Sequence, residues 1–150
     1  ELIEDWPYPQ DGVPVWHLNE SLSRLLRLSS EWHRVALGST EGMEPGSNRF
    51  WTRIAQVMDM VCDDKGRPRC KLHGLRMLDP KIFQSIPLAS ADSATAVLNS
   101  FKNDERYGIY APKKQSQRAN ICADRIEAHV SAPIWDDRIT VQTEFKLCGQ

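Results

Sequence analysis

The sequence predicts a parallel α/β protein, and three observations predict it. Short apolar runs alternate with longer stretches whose apolar residues recur every three or four positions. The runs lack the in/out alternation of a half-exposed antiparallel sheet, as expected of strands covered by helices. Each run stops abruptly at a residue able to do chemistry or at a glycine, notably His17, Gly38, His73-Gly74 and Asp92-Ser93. Parallel strands release their functional side chains at their carboxyl ends, in α/β barrels and open sheets alike.

Taken in order, residues 1–12 are rich in proline and acid and read as an irregular lead-in or the remnant of a missing N-terminal half. The chain opens at Glu1 without a methionine, which leads us to expect a fragment of a longer protein. Residues 13–17 form a first strand, with Pro14 near its start where a missing donor is tolerated. Asn19 or Ser21 caps a helix over 21–30, with Leu22, Leu25, Leu26 and Leu28 as its apolar face. Residues 33–38 are a second strand and 39–47 a glycine-containing loop. Residues 48–62 form the clearest helix, with Phe50, Trp51, Ile54, Val57, Met58 and Val61 on one side. The cluster at 63–68 ends it in a turn.

A third strand is expected at 70–73. Asp79 and Pro80 then offer a cap and a first-turn proline for a short helix through Phe83, and a fourth strand follows at 88–91. Residues 94–101 read as helical and 102–117 as a polar loop. The range 117–130 reads as a final helix with Ala119, Ile121, Cys122 and Ile126 inward, and 133–150 as a tail holding a short strand or extended chain. Residues 13–132 thus comprise four βα units and a final helix, and parallel pairing through right-handed crossovers follows.

Bulk properties narrow the function classes. The chain has 150 residues, enough for one domain, and its net charge of −1 provides no global basic field for nucleic acid. No apolar run is long enough to cross a bilayer and no signal-peptide pattern opens the chain, so a soluble, intracellular protein with no membrane partner is expected. Cys62, Cys70, Cys122 and Cys148 show no CxxC pair and no metal-type histidine spacing. They read as reduced thiols, with no metal and no cofactor implied. Dinucleotide, Walker, serine-hydrolase and zinc-protease motifs are absent. Lys102, Arg106, Lys113 and Lys114, mixed with Tyr107 and Tyr110, are a local feature that nucleic acid would favour, although solvated loops share it.

The candidate site is the rim where the four strand ends meet. It comprises His17 with Asn19 and Glu20, Gly38 with Ser39, His73 with Gly74, and Asp92 with Ser93. Each has a plainer reading. Asp92 and Ser93 are good helix caps, a histidine at a strand end is often only backbone-bonded, and the stretch from Gly38 through Glu41 to Gly42 serves equally as a turn or as a row of amides for a base or phosphate.

Four segments together resemble a known family. In order, Val13-Pro-Val-Trp-His17, Arg34-Val-Ala-Leu-Gly-Ser39, Lys71-Leu-His-Gly-Leu-Arg76 and Ser90-Ala-Asp-Ser93 look like the carboxyl-terminal half of the tRNA-guanine transglycosylase-like barrels. The likeness is to phage and bacterial members related to DNA 7-deazaguanine transglycosylases, and it covers roughly residues 12–130. It implies half of a TIM barrel and a pentosyltransferase that exchanges guanine for a 7-deazapurine base, in the cytoplasm of a bacterial host. By the resemblance Asp92 is the nucleophile on the sugar C1′; on our own reading of the rim, Ser93 is expected to support it and His73 and His17 to orient or protonate the base. Gly38, Ser39, Glu41 and Gly42 fall on the family's base-binding loop, and Gly74 on a glycine after the seventh barrel strand.

The Cys-rich zinc motif of the tRNA enzymes does not follow Asp92, so DNA rather than tRNA is implied and no zinc. Four βα units cannot close a barrel, so the rest of the barrel or a second copy is expected as partner. Two alternatives stand beside this reading: a non-catalytic protein-binding factor on the same scaffold, and an N-glycosylase or nucleoside-processing hydrolase.

Overall fold

A computed structural model describes residues 11–94 and 111–136. Its strands are β1 (Val15–His17), β2 (Arg34–Gly38), β3 (Lys71–Leu75) and β4 (Ser90–Ala91). Its helices are α1 (Leu22–Glu31), α2 (Asn48–Val61), α3 (Pro80–Phe83) and α4 (Gln115–Glu127). The four strands pair in parallel in the order β1-β2-β3-β4. The chain is therefore α/β, with strands and helices alternating around an all-parallel sheet.

A sheet wound in one direction by right-handed crossovers carries its helices on one face. Burial agrees. Trp16, Val35, Leu37 and Leu72 share one core with Leu25 and Leu28 of α1, Phe50, Ile54 and Met58 of α2, and Ile82 and Phe83 of α3. The register places Val15, Ala36, His73 and Ser90 in one row on the opposite face, with His17 and Gly38 in the next row towards the carboxyl ends. This second face carries both histidines of the proposed rim.

The helices begin where their caps dictate. Ser21, rather than Asn19, caps α1 by accepting from Arg24 N, Ser47 caps α2 from Phe50 N, and Asp79 caps α3 from Lys81 N with Pro80 in the first turn. In α2, Phe50, Trp51, Ile54, Val57, Met58 and Val61 are all buried. In α1, Leu25 and Leu28 are buried but Leu26 is 40% exposed, because one step along a helix turns a side chain by about 100° off the buried stripe. The turn after α2 is held by Asp63, whose Oδ1 accepts from Lys65 N and Arg67 N, with Gly66 at φ +73°.

Four expectations need correction. β3 runs on to Leu75, so His73 and Gly74 lie inside the strand, because Leu37 and Gly38 extend the ladder opposite Gly74 and Leu75. β4 is confined to Ser90–Ala91, since Leu88 N bonds Ser131 Oγ at 3.0 Å instead of a neighbouring strand. The last helix begins at Gln115 and stops at Glu127. Of its four expected inward residues, Ala119, Ile121, Cys122 and Ile126, none is buried. Among the described residues, Ile126 in its last turn is the one that packs against the core.

The chain beyond α4 is not a loose tail at its start. Ser131 Oγ faces the carbonyls of Phe83 and Ile86 as acceptors, Ala132 N bonds Phe83 O, and Trp135 is buried with its backbone N–H on Gly66 O at 2.8 Å. The expected lead-in up to residue 10, the helix over most of 94–101, the basic and tyrosine residues up to Tyr110, and Cys148 lie outside the described residues. No helix among the described residues is long and apolar enough to cross a membrane.

Candidate functional site

The ladder between β3 and β4 ends on Asp92. Its N–H bonds Gly74 O at 3.1 Å, completing the parallel pattern, and its carbonyl accepts from Leu78 N at 3.1 Å as the chain turns over the rim. With the backbone held on both sides, the carboxylate has a defined place. Oδ1 accepts from Arg76 N at 2.7 Å, and Oδ2 faces His73 Nε2 in a long 3.4 Å contact. The Asp92 side chain is 54% exposed and that of His73 22%, so the carboxylate is held through Oδ1 while the side chain as a whole stays open to solvent.

His73 is oriented from its other nitrogen. Ser90 Oγ lies 2.9 Å from Nδ1. A carboxylate only accepts, so the consistent neutral tautomer carries its proton on Nε2, facing Asp92, and takes the Ser90 hydroxyl proton at Nδ1. Register explains the grouping: His73 is directly opposite Ser90, and Asp92 follows two residues later on the same face.

Arg76 gives the arrangement its unusual backbone. Its φ of +63° is the only positive value at a non-glycine residue among those described. This left-handed conformation, sparsely populated by L-residues, lets the chain leave β3 with its N–H aimed at Asp92. Nothing in the local sequence signals it, since glycine or asparagine would be the usual choice.

Beside Asp92 lies a cavity of ≈ 640 Å³ lined by Ser39, Glu41, Glu44, Arg76, Asp79 and Ser93 among others. Its charged lining is acidic on balance, with Glu41, Glu44 and Asp79 against Arg76. The backbone amide of Glu44 itself, and then that of Gly42, hold the Glu44 carboxyl below its usual range. Gly42 takes φ +75° there, in the turn that aims its N–H at Glu44 Oε1 at 3.0 Å. Thr40 also lines the cavity, with a buried Oγ1 that has no hydrogen-bond partner among the described residues.

The residues expected at the rim therefore divide. Asp92 and His73 meet, and Ser39, Glu41 and Ser93 line the adjoining cavity. His17 stands apart. It is level with Gly38 and, by register, with Leu75 and Asp92, three strand spacings or about 14 Å from that carboxylate. Its ring lies over Gly38, where an added Cβ would come within 2.6 Å of Nδ1, so the space at Gly38 is already occupied. Gly74 faces the helices, and a Cβ there would meet Leu88 Cδ1 and Met77 Cβ at 2.8 Å. Its missing side chain makes room for the core.

Ser90, Arg76 and Thr40 were not singled out from the sequence. For Ser90 a signal existed, since strand register across a parallel pair can be guessed from matching apolar positions. For Arg76 none did. Among the described residues no three His, Cys, Asp or Glu side chains converge to hold a metal ion. No family model matches this chain, and neither curated proteins nor solved structures give a match.

Proposed function

We propose that this chain carries the nucleophile of a guanine-exchanging transglycosylase acting on nucleic acid, DNA rather than tRNA, within a bacterial host cell. The observation that carries the reading is Asp92, a half-exposed carboxylate at the end of a parallel strand with Oδ1 held by Arg76 N and Oδ2 facing His73. In the reaction Asp92 Oδ2 bonds to the sugar C1′ as the C1′–N bond to guanine breaks, and that electron pair leaves with the base. The incoming 7-deazapurine then bonds to C1′ and the ester bond to Asp92 breaks, restoring the carboxylate. A carboxylate divides one difficult displacement into two, as in retaining glycosidases. The departing base gains a proton and the incoming base gives one up, and His73 is the adjacent group able to carry it.

The sheet order supports the same reading. Strands wound in one direction with helices on a single face are the pattern of a barrel wall, and β1 and β4 each keep one unpaired edge among the described residues. The remaining barrel strands, or a second copy of this chain, would cover those edges. The test is incorporation of a labelled 7-deazaguanine base into guanine-containing DNA by the complete native protein. Asp92→Ala is expected to abolish incorporation without changing the melting temperature by more than a few degrees. Incorporation that survives this substitution refutes the role of Asp92. Release of free guanine without incorporation replaces exchange by hydrolysis.

A further inference from the structure

A second cavity on the same rim has the opposite charge character. It measures ≈ 490 Å³ and is lined by Asn19, Met43, Asn48, Arg49, Thr52, Arg53 and Gln56 with Leu18. Among the described residues no carboxylate lines it, whereas Glu41, Glu44 and Asp79, with Arg76 as the one cation, line the cavity beside Asp92. The loop over 39–47 is the ridge between them. Thr40, Glu41, Glu44 and Pro45 face one side and Met43 the other, and backbone bonds from Met43 N to Thr40 O and Ser47 N to Glu44 O hold its shape.

Arg53 is fixed in place before any ligand arrives. Its Nε donates to Leu18 O at 2.8 Å, Nη2 donates to Glu20 O, Nη1 donates to Gln56 Oε1 at 2.8 Å, and the guanidinium stands 5.5 Å from the Trp16 ring centroid. Every acceptor is neutral, so the positive charge is oriented but not cancelled. Arg49 is exposed at the mouth, with Glu44 as its electrostatic neighbour across the ridge. Neither guanidinium forms an ion pair among the described residues. Two arginines, two asparagines and a glutamine make a surface of donors suited to an oxyanion, and guanidinium is the group best matched to phosphate.

We propose that this groove binds a phosphodiester of the nucleic-acid strand next to the nucleotide whose base enters the acidic cavity. The inference rests on the reading of Asp92 as acting on nucleic acid. A nucleotide strand presents a donor-bearing base and an anionic backbone close together, and the two cavities separate those demands across one ridge. Carboxylates repel phosphate from the side where the base sits, and the arginines attract it to the other, setting the register of the strand over Asp92.

The groove can be tested without dismantling the core. Gln56→Glu places a carboxylate where Oε1 already meets Arg53, cancelling its charge in position, and Arg49→Gln removes the exposed charge. Arg27→Gln on the exposed part of α1 removes an equal charge elsewhere. The measurement is the affinity of the complete native protein for a fluorescent guanine-containing single-stranded oligonucleotide across salt concentrations. Each groove variant is expected to bind several-fold more weakly and to flatten the log–log salt slope by roughly 0.7, the value for one phosphate contact on a single strand, while Arg27→Gln leaves the slope unchanged. Millimolar inorganic phosphate is expected not to displace the oligonucleotide.

An unchanged slope in both groove variants overturns the proposal, as does failure of the native protein to bind the oligonucleotide. Displacement by inorganic phosphate alone also overturns it, because free phosphate would then be the ligand. The two readings fail separately: base exchange with an unchanged slope rejects the groove and keeps Asp92, whereas a groove-dependent slope without any exchange keeps the groove and rejects Asp92.

Discussion

Substitutions at Arg76 test whether a left-handed backbone, rather than a charge, positions Asp92. Arg76 sits at φ +63° and its N–H reaches Asp92 Oδ1 at 2.7 Å. A left-handed conformation costs an L-residue about 1–2 kcal/mol, which glycine does not incur, while glycine loses about 0.5–1 kcal/mol through the greater freedom of its unfolded chain. Arg76→Gly is therefore expected to change stability by about 0–1.5 kcal/mol, towards greater stability, and to leave the amide on Asp92. Asparagine, which tolerates the same region, should behave alike.

Valine should not. Its branched Cβ disfavours φ near +60° strongly, so the peptide must rotate and withdraw its N–H from the carboxylate. A hydrogen bond to a charged group contributes about 1.5–3 kcal/mol, and because the Asp92 side chain is 54% exposed, water replaces part of it. Expressed in the transition state, the low end of that range is about a tenfold loss in rate and the high end about a hundredfold. The assay is single-turnover base incorporation, with kcat separated from KM and melting temperature recorded for each variant. A fall in kcat for valine but not for glycine or asparagine is expected. Equal loss in all three would show that the guanidinium matters and the backbone does not, and equal retention would refute the positioning argument.

Two further predictions concern the fold. Gly66→Ala puts a Cβ 2.3 Å from Trp135 O, a backbone atom that cannot swing aside, at a residue with φ +73°. The strain of about 1–2 kcal/mol and the loss of the Trp135 N–H bond, about 1 kcal/mol, predict destabilisation of roughly 2–3 kcal/mol in urea unfolding. Stability within about 0.5 kcal/mol of the parent would mean that the Trp135 strap is not docked. The second concerns Cys62, whose thiol is pushed up to about 11 by burial and then by the negative charges of Asp63 and Asp59. The unfolded thiol ionises first, so this group's contribution is fully present below about pH 9 and is lost as pH rises towards 11, an effect on the order of 2 kcal/mol. Comparison with Cys62→Ala isolates it: the parent should lose more stability than the variant over that interval, and parallel curves would contradict the shift.

Much of the architecture was legible because it is written in local periodicity. The three-and-four spacing from Phe50 to Val61 specifies a buried helical stripe wherever the helix is placed, and Ser47, Ser21 and Asp79-Pro80 mark helix starts through bonds made within three residues. The parallel order followed from the length of the crossovers, which only a βα arrangement accommodates. Periodicity was less informative where packing decides burial. Leu26 joins the leucine pattern of α1 yet faces water, and the apolar residues of α4 are only half covered because that helix touches the core through Ile126.

The sequence by itself determined the alternating strands and helices, their caps, and the candidacy of Asp92 and His73, because these depend on neighbours a few positions away. Only the tertiary structure decided which candidates meet. Strand register sets His73 beside Ser90 and Asp92 while leaving His17 about three strands from the carboxylate. The left-handed turn at Arg76, the filling of Gly38 and Gly74 by the chain's own atoms, and the ridge dividing an acidic from a basic cavity likewise arise from contacts between residues distant in sequence. Such contacts leave no periodic trace along the chain, because long-range packing selects among conformations that each local segment allows.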